Sequence, residues 1–511
     1  MSISAKTPPR LRRIGRSRGC ALESAELHQG VAVNRGIVIG GGLAAVVVAA
    51  LAGGPAIIGG KVQGEVQGAY ARVFQQLPFI RLVEQRYDKG WMSATHTATI
   101  EVGCETPAGP DGQGGSKPIR FTVTDTIQHG PLPGFSAAAL ARVQTEVRLA
   151  GEGKAEVEKA FGGQPLLKSS TLVSYGGSTR GSFESPKAGF TAPDGTVVAW
   201  DGLAGTFSGS DFTGRSTTFE AKAPSLSVKS PKDGGELTMS GLRMAGNTQR
   251  PGDYMFLSVG TTEGGIDSIS FKANPGMART SAVPRPGQPV SVSMTALKFK
   301  SDASLDKDLA ASTVSMSGAM QVNEVKIDKI EFAGGMRRLH APSYEKGMQA
   351  FMKQAYACPK PGEKQDPQAA LAPMIDLLKG LLPHNPEYAV DKIAATYKGK
   401  EGVISYSVST QGVTEDDLKA PPMAVVMSKA VVKASASLPL AWVEEIAASV
   451  APAQAQQLPM MLDQLSAQGL VKREGELLKA DFNFSAGKAT LNGQPVPLPF
   501  GGAPAGAARG S

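Results

Sequence analysis

Residues 290–322 read VSVSMTALKFKSDASLDKDLAASTVSMSGAMQV. Apolar residues alternate with serine and threonine over Val290–Phe299, and the alternation returns over Ser312–Val322. A two-residue period of this kind is typical of antiparallel strands that bury one face. The same period extends over most of the chain from Tyr87 to Phe332. Because strand follows strand with few crossovers, the pattern predicts meandering antiparallel sheets.

Turn signals separate the predicted strands. They are Pro193-Asp194-Gly195, Lys232-Asp233-Gly234-Gly235, Pro251-Gly252-Asp253 and Glu263-Gly264-Gly265, all built from residues that favour turns. Near the C-terminus, Asn492-Gly493 predicts a two-residue hairpin, because both residues accept positive φ.

The part of the chain after residue 340 is more helical. Ser343–Tyr356 and Gln368–Leu382 carry apolar residues every three or four positions, which predicts helices, and Ala389–Ala395 can extend this helical part. Leu440–Val450 and Met460–Ala467 follow the same pattern. The predicted fold class is therefore α+β, predominantly antiparallel β, with a helical C-terminal portion and one N-terminal transmembrane helix.

The transmembrane helix is predicted from residues 36–60, GIVIGGGLAAVVVAALAGGPAIIGG, which carry no charge. About 20 apolar residues suffice to cross a bilayer as a helix. Basic residues crowd the upstream side, and this bias keeps that end of a first span in the cytoplasm. We expect an uncleaved anchor, a cytoplasmic N-terminus and a body on the opposite side of the membrane. Ala50-Leu51-Ala52 keeps open the alternative of a cleaved signal peptide.

The charge balance agrees with this topology. The chain has 53 Lys+Arg and 45 Asp+Glu, a net charge of +8. The first 35 residues hold seven basic and two acidic side chains, 7 − 2 = +5 of that excess. Topology therefore accounts for most of the basic character, and we expect no nucleic-acid partner.

The chain divides into five predicted segments. They are a disordered basic cytoplasmic leader over 1–35, the anchor over 36–60, a β-rich exported domain over 61–340, an α+β exported domain over 341–500 and a flexible tail over 501–511. The leader has no apolar period, which suggests a true start nearer Val31 or Val33. Gly36 and Gly40 form a GxxxG pair, which can bring two membrane helices together in a homo-oligomer.

Cys104 and Cys358 both follow the predicted span. An oxidising compartment would let them form a disulfide. Two separate buried thiols are the alternative.

Chemical motifs are sparse. The sequence contains no HExxH, no phosphate-binding GxxxxGK[ST] and no GxSxG, so no catalytic, metal or cofactor site is predicted. In Gly90-Trp91-Met92-Ser93, Trp91 is predicted to anchor the core, Gly90 to form a turn and Ser93 to bond locally. The alternative is that Trp91 stacks on a sugar or lines a ligand groove. In His129-Gly130-Pro131, the histidine is predicted to cap or pack on a constrained turn, with acid/base work as the alternative.

These strings, in this order, resemble the YdgA-like family of bacterial envelope proteins. The matching parts are the N-terminal apolar segment, Tyr87-Asp88-Lys89 leading into Gly90-Trp91-Met92-Ser93, His129-Gly130-Pro131 with Leu132-Pro133, and a C-terminal Leu465-Ser466-Ala467-Gln468-Gly469-Leu470 that leads to Asn492-Gly493. The resemblance implies an inner-membrane protein with a large periplasmic domain. It implies no catalytic residues, because the family has no assigned activity.

The combined expectation is a non-enzymatic binding or scaffolding module of the cell envelope. Alternating strands can form a sheet with one apolar face that holds a lipid chain or another apolar ligand. A structural role through self-association or contact with envelope proteins is the second hypothesis. A periplasmic hydrolase centred on His129 is the third.

Overall fold

The computed structural model describes residues 80–104, 117–135, 137–192, 194–210, 214–231, 234–273, 290–355, 358, 367–450 and 457–496. The predicted leader over 1–35, the anchor over 36–60 with Gly36 and Gly40, and the tail over 501–511 lie outside these ranges. Among the residues that are described, no helix has both the length and the apolar character that a membrane span needs.

Twenty-two strands dominate the described chain, as the alternating sequence predicts. The first eight are β1 Ile80–Lys89, β2 Ser93–Val102, β3 Ile119–His129, β4 Ala141–Ala150, β5 Leu167–Val173, β6 Thr179–Ser185, β7 Ala188–Thr191 and β8 Val197–Trp200. The next seven include the longest: β9 Leu203–Gly209, β10 Ser216–Ser230, β11 Gly235–Gln249, β12 Val259–Ala273, β13 Val290–Asp306, β14 Leu309–Val322 and β15 Val325–His340. The last seven are β16 Glu387–Tyr397, β17 Lys400–Thr410, β18 Ala430–Pro439, β19 Lys472–Glu474, β20 Leu477–Ser485, β21 Lys488–Leu491 and β22 Gln494–Val496.

All described strand pairs are antiparallel and belong to one continuous sheet. The order along the sheet is β1 to β6, then β9 to β18, then β20 to β22. Strand β8 joins β10 beside β9, and β19 joins β20 beside β21. The pairing of β15 with β16 carries the sheet across residue 340. The predicted predominance of antiparallel meanders is therefore confirmed.

Six helices interrupt the strands in the described ranges: α1 Lys154–Ala160, α2 Ala341–Ala355, α3 Pro367–Leu381, α4 Pro422–Lys429, α5 Leu440–Val450 and α6 Leu458–Ala467. Three short 3-10 turns cover Pro133–Phe135, Leu382–His384 and Asp417–Lys419. Five of the six helices follow residue 340, so the helical C-terminal portion is where the sequence predicts it.

Two local expectations are wrong. Glu263-Gly264-Gly265 does not turn but lies inside β12, where Gly264 pairs with Met244 on one side and Phe299 on the other. Ala389–Ala395 is not helical but belongs to β16, which is paired on both sides. In both places, ladder hydrogen bonds from two neighbouring strands outweigh a weak local preference.

A bulge in β13 keeps apolar side chains on one face of the sheet. Met294 and Phe299 are five residues apart, so strict alternation would put them on opposite faces. Met294 lies opposite Met320 of β14, and Phe299 lies opposite Met316. These two partners are four residues apart, and β14 has no residue with positive φ, so they share one face. Between Met294 and Phe299, Ala296 adopts a φ of 52° where the register shifts. The bulge therefore corrects the phase of the alternation.

The main core lies on this apolar face at the first six strands. Its fully buried members include Phe121, Ile127 and Val147, and Val157 and Phe161 at α1 pack against it. A second cluster, Leu257, Ala310, Leu339 and Leu381, lies where α2 and α3 meet the ends of the long strands. Between these two clusters, the apolar side chains of the sheet are less buried.

The α2–α3 pair is also tied to the sheet by a buried carboxylate. Glu345 of α2 accepts hydrogen bonds from the backbone N–H groups of Met255 and Phe256, at 2.9 and 2.8 Å. These residues precede β12 in the chain. A charge-assisted bond to a buried carboxylate is stronger than a neutral one, so this contact fixes the helices against the start of β12.

Candidate functional site

One row of residues runs across the strands and defines the apolar face. Each member lies directly opposite the next: Phe183, Gly205, Ala221, Met244, Gly264, Phe299, Met316, Phe332, Ile393 and Ile404. Side chains of directly opposed residues share a face of the sheet. The row carries no charge over ten strands, so the apolar face is continuous from β6 to β17.

Glycines on this face make room for phenylalanine rings of the neighbouring strand. A Cβ on Gly205 would lie 2.3 Å from Cζ of Phe183, and one on Gly264 would lie 2.4 Å from Cζ of Phe299. The pairs Gly181–Phe207 and Gly246–Phe219 repeat the arrangement. Rings that lie over glycines stay close to the sheet and cover its backbone, as in aromatic rescue of glycine.

The apolar face is exposed on the four neighbouring strands β14 to β17. Seven side chains there keep 36% to 44% of their surface exposed, and we call them the apolar patch: Val314, Met316, Met336, Tyr388, Ile393, Ile404 and Val408. They lie in adjoining rows of directly opposed residues. Contiguous apolar surface of this kind marks a binding site more often than scattered single residues do.

On strands β10 to β13, the residues that alternate with the apolar row form a charged face on the other side of the sheet. Lys222 lies opposite Arg243, and Gly265 separates Arg243 from Lys298 in the same row. Arg243 binds Asp267 in a bidentate pair at 2.7 and 3.2 Å. Hydrogen bonding to Arg243 lowers the pKa of Asp267, which keeps this carboxylate ionised.

A groove of about 1560 Å³ crosses the strands from β4 to β16. Six acidic and six basic side chains are among the residues that line it, so the groove has no net charge that would select an anion or a cation. Some of these charges pair with each other, as Lys392 does with Glu331 at 2.6 Å. The groove is therefore electrically balanced. Eight of the ten residues of the apolar row also line it, including Met316 of the apolar patch, so the groove and the patch are parts of one candidate surface.

A buried polar chain of three residues lies in the main core. His96 Nδ1 is 3.1 Å from Asp125 Oδ2, and Thr145 donates to Asp125 Oδ1 at 2.6 Å. The three residues occupy one row across β2, β3 and β4. Their order resembles that of a catalytic triad, but His96 and Asp125 are fully buried. A nucleophile must be reachable by its substrate, so this cluster organises the core.

The sequence motifs around Trp91 and His129 come together at one end of the sheet. Gly90 donates its N–H to the Ser93 carbonyl at 2.7 Å, which closes the turn between β1 and β2. His129 ends β3 and donates its backbone N–H to the Met92 carbonyl at 3.1 Å. Gly130 follows with a φ of 120° and precedes Pro131. The predicted turns at Gly90 and at Gly130-Pro131 are therefore present.

Trp91 itself corrects the sequence analysis. Its side chain is 93% exposed, so the prediction of a core anchor is wrong. The residue lies at the tip of the turn, beyond the last pair between β1 and β2, which joins Lys89 to Ala94. Hydrophobicity alone suggested burial, whereas position in a tight turn decides the outcome.

The C-terminal hairpin forms as predicted. Asn492 and Gly493 join β21 to β22 with φ values of 52° and 84°. The Asn492 side chain accepts from the N–H of Asp481 at 2.9 Å and donates to the Gly469 carbonyl at 3.0 Å. Both residues therefore serve the fold.

Cys104 and Cys358 are joined in a disulfide with Cα atoms 5.3 Å apart. The bridge links the end of β2 to the segment after α2, across 254 residues of sequence. Elements that are distant along the chain are thus tied covalently.

His340 and His384 form the other notable histidine site. Their rings stack at 3.6 Å between centroids, and His340 Nδ1 lies 2.8 Å from Ser343 Oγ. Burial, with the neighbouring His340, lowers the pKa of His384. Within the described ranges, no group of three or more His, Cys, Asp or Glu side chains is placed to hold a metal ion.

Comparison with family models gives a match over most of the chain. The model of a family described as bacterial protein of unknown function, DUF945, matches residues 36–499. No curated protein and no solved structure matches the chain. The family match includes the N-terminal apolar stretch, the whole sheet and the C-terminal hairpin, and the chain therefore belongs to the DUF945 family of bacterial proteins of unknown function.

Proposed function

We propose that this protein is a non-enzymatic, membrane-anchored envelope protein whose apolar patch binds the acyl chain of a lipid. The observation that carries the proposal is the exposure of seven apolar side chains on four neighbouring strands. With strands about 4.8 Å apart, the patch extends roughly 15 Å across them. We also propose that the chain shares the inner-membrane topology of the YdgA-like proteins that it resembles.

The chemistry of the patch favours an acyl chain over a polar ligand. Met316, Phe332, Ile393 and Ile404 follow each other across the strands, so a ligand that lies across the strands meets apolar atoms throughout. Each methylene removed from water contributes about 0.8 kcal/mol, and several methylenes on an open surface give useful affinity without a directional bond.

The position of the patch within the sheet argues against strand addition. Strands β14 to β17 are each paired on both sides, so their backbone groups already have partners. Recognition must therefore use side chains. Flexible methionines, here Met316 and Met336, adapt to ligands of irregular shape.

An exported body is supported by the Cys104–Cys358 disulfide. Disulfides persist in oxidising compartments and are rare in the cytosol. The uncharged stretch over 36–60 supplies an anchor long enough for a bilayer. An anchored body would lie close to its source of lipid.

Two matched variants test the proposal. Met316→Lys introduces a charge on the apolar patch, and Ser315→Lys introduces the same charge on the opposite face of the same strand. Full-length proteins are purified in mild detergent, and bound lipid is extracted and quantified by mass spectrometry. We expect wild type and Ser315→Lys to retain acyl lipid that Met316→Lys loses several-fold. Because all three share the anchor, equal lipid in all three would refute the proposal.

A further inference from the structure

The continuous sheet ends at two strands. In the described part of the chain these are β1 and β22, each of which pairs with a strand on one side only. Strand β22 has three residues and includes Pro495, and a short strand with proline is a usual protection against further pairing. Strand β1 has ten residues and no proline. Its outer edge therefore presents a row of backbone N–H and C=O groups that another strand can bind.

The pairing of β1 with β2 shows which face each residue of β1 occupies. Directly opposed residues share a face, and a bulge at Val83 separates Leu82 from Glu84 in the register. The face of the main core carries five residues of β1, which are Ile80, Leu82, Gln85, Tyr87 and Lys89. The other face carries four, which are Arg81, Glu84, Arg86 and Asp88. All four are charged, and their signs alternate along the strand.

An alternating row of charges is complementary to a second copy of itself when the two strands run antiparallel. With a twofold axis through Gln85, Arg81 lies opposite Asp88 of the second copy. Glu84 then lies opposite Arg86 of the second copy. Every charge on this face therefore meets a charge of opposite sign, and such cross-strand pairs stabilise antiparallel strands.

The core face of the same arrangement is also matched. Leu82 and Tyr87 are half-buried and pack against the main core, and the axis sets each of them opposite the other in the second copy. Gln85 lies on the axis. Within the described ranges, its side-chain oxygen is buried without a hydrogen-bond partner, which costs free energy. The amide N–H of the second Gln85, directly opposite, can donate to this oxygen once the two side chains turn towards each other.

The same charges disfavour other arrangements of two β1 strands. A shift of two positions in one direction sets Glu84 against Glu84 and Arg81 against Arg86. The opposite shift sets Arg86 against Arg86 and Glu84 against Asp88. Parallel pairing in register sets every charge against itself. Like charges directly opposite each other destabilise a strand pair. Charges on an edge strand commonly prevent pairing altogether, whereas this row permits one register.

The charged side chains can change partners at little cost. Those of Arg81, Arg86 and Asp88 are between 54% and 74% exposed. Arg86 and Asp88 pair with each other at 2.9 Å. Arg81 pairs with Glu101, which Arg120 also binds at 2.6 Å, so Glu101 keeps a partner if Arg81 turns away. Because exposed ion pairs contribute little stability, pairs across the axis can replace them.

From the open edge, the alternating charges and the buried Gln85 oxygen, we propose that two copies of this chain join through antiparallel β1 strands. The twofold axis passes through Gln85, and the sheet continues from one copy into the other. A strand edge about 30 Å long and about 10 Å thick covers less than the roughly 800 Å² per partner of a standard interface. We therefore expect a dimer in equilibrium with monomer. The proposal does not depend on acyl-chain binding by the apolar patch.

The first arm of the test traps this dimer through a cysteine on the axis. Full-length Gln85→Cys, in a Cys20→Ser background, is oxidised in intact membranes and analysed on non-reducing gels. Thr97→Cys is the matched control, because Thr97 lies opposite Arg86 on β2. Its two copies would be three strand spacings apart, about 14 Å, whereas a disulfide joins Cα atoms no more than about 7 Å apart.

We expect at least tenfold more covalent dimer from Gln85→Cys than from Thr97→Cys, with mass spectrometry identifying both halves as this chain. Equal yields from the two positions, no dimer from Gln85→Cys, or a product with a different protein would overturn the proposal. The circular dichroism spectrum and unfolding midpoint of the reduced proteins show that each variant keeps the fold.

The second arm exchanges two charges in the Gln85→Cys protein. Glu84→Arg sets like charges opposite each other across the axis, and we expect it to reduce the trapped dimer several-fold. Adding Arg86→Glu should restore the dimer, because opposite charges face each other again. Glu324→Arg makes the same change in the exposed turn between β14 and β15 and should have no effect. A loss that Arg86→Glu does not restore, or an equal loss with Glu324→Arg, would contradict the proposed register.

Discussion

Glycine and phenylalanine are matched across strands on the apolar face, and this pairing determines which residues the sheet accepts. From sequence alone, Glu263-Gly264-Gly265 is predicted to turn, because glycine is common in turns. In the structure, Gly264 is needed because the Phe299 ring occupies the space of its missing side chain. The two residues lie on different strands, β12 and β13, so a local pattern could not predict their pairing.

We expect Gly264→Ala to destabilise the protein by roughly 1–3 kcal/mol, the usual cost of overpacking. The new Cβ would lie 2.4 Å from both the Arg243 carbonyl oxygen and Phe299 Cζ. Gly235→Ala is the control, since its Cβ would lie 3.9 Å from the nearest atom. Urea unfolding should separate the two variants, and an equal midpoint for both would contradict the packing argument.

The stacked histidines predict a pH dependence of stability. Burial and His340 lower the pKa of His384 in the folded protein, whereas the unfolded chain has a pKa of about 6.5. The unfolded state therefore takes up the proton first as pH falls. Stability from this group is complete above about pH 6.5 and is lost as pH falls through the lower, folded pKa.

The slope from one such group is at most about 1.4 kcal/mol per pH unit. Thermal unfolding between pH 8 and pH 5 measures it, with His384→Gln as the comparison because glutamine does not titrate. The variant should lose less stability than wild type over this range. Parallel curves would show that His384 does not contribute.

At the scale of elements, strands were predictable wherever alternation was clean. Val290–Phe299 and Ser312–Val322 both lie in strands, and the structure lengthens them to β13 and β14. The helix predicted over Ala389–Ala395 does not form, because alanine is compatible with both the helical and the strand period. The strands β15 and β17, which pair with this segment on either side, decide its conformation. Pairing between strands thus decides between helix and strand where the sequence of a single segment does not.

The disulfide is the clearest covalent link between distant elements. It closes a loop of 254 residues between β2 and the segment after α2. Long closed loops restrict the unfolded chain most, and a disulfide typically contributes about 2–4 kcal/mol. We expect the Cys104→Ser, Cys358→Ser double variant to lose stability of this order in chemical unfolding.

Cys20→Ser is the matched control, because this cysteine lies in the predicted cytoplasmic leader. Adding reductant should lower the stability of wild type and of the Cys20→Ser control towards that of the double variant. If reductant and the double substitution left the unfolding midpoint unchanged, the bridge would carry no stabilising role.

At the scale of the whole molecule, one sheet separates an apolar face from a charged face. The alternating sequence predicts that an apolar face exists, but it does not predict which part of that face stays exposed to solvent. The apolar face of the first six strands is buried in the main core. The helices α2 and α3 lie at the ends of the long strands. Only the three-dimensional arrangement leaves β14 to β17 with an exposed apolar patch.

The turns at one end of the first six strands show a second limit of sequence reasoning. Trp91, Leu132 and Tyr175 are far apart in sequence and lie in turns that no periodic pattern describes. Strand order brings these turns side by side, because β1 to β6 are neighbours in the sheet. An expectation based on hydrophobicity placed Trp91 in the core, whereas its position in the turn exposes it.

The most direct test of acyl-chain binding is photolabelling of the full-length protein with a fatty acid that carries a diazirine. Labelled residues are then located by peptide mass spectrometry. The account predicts labelling of Met316, Ile393 and Ile404 on the apolar patch, but not of Ser315 or Lys392 on the opposite face. Labelling confined to residues 36–60, or spread equally over both faces of β14 to β17, would contradict it.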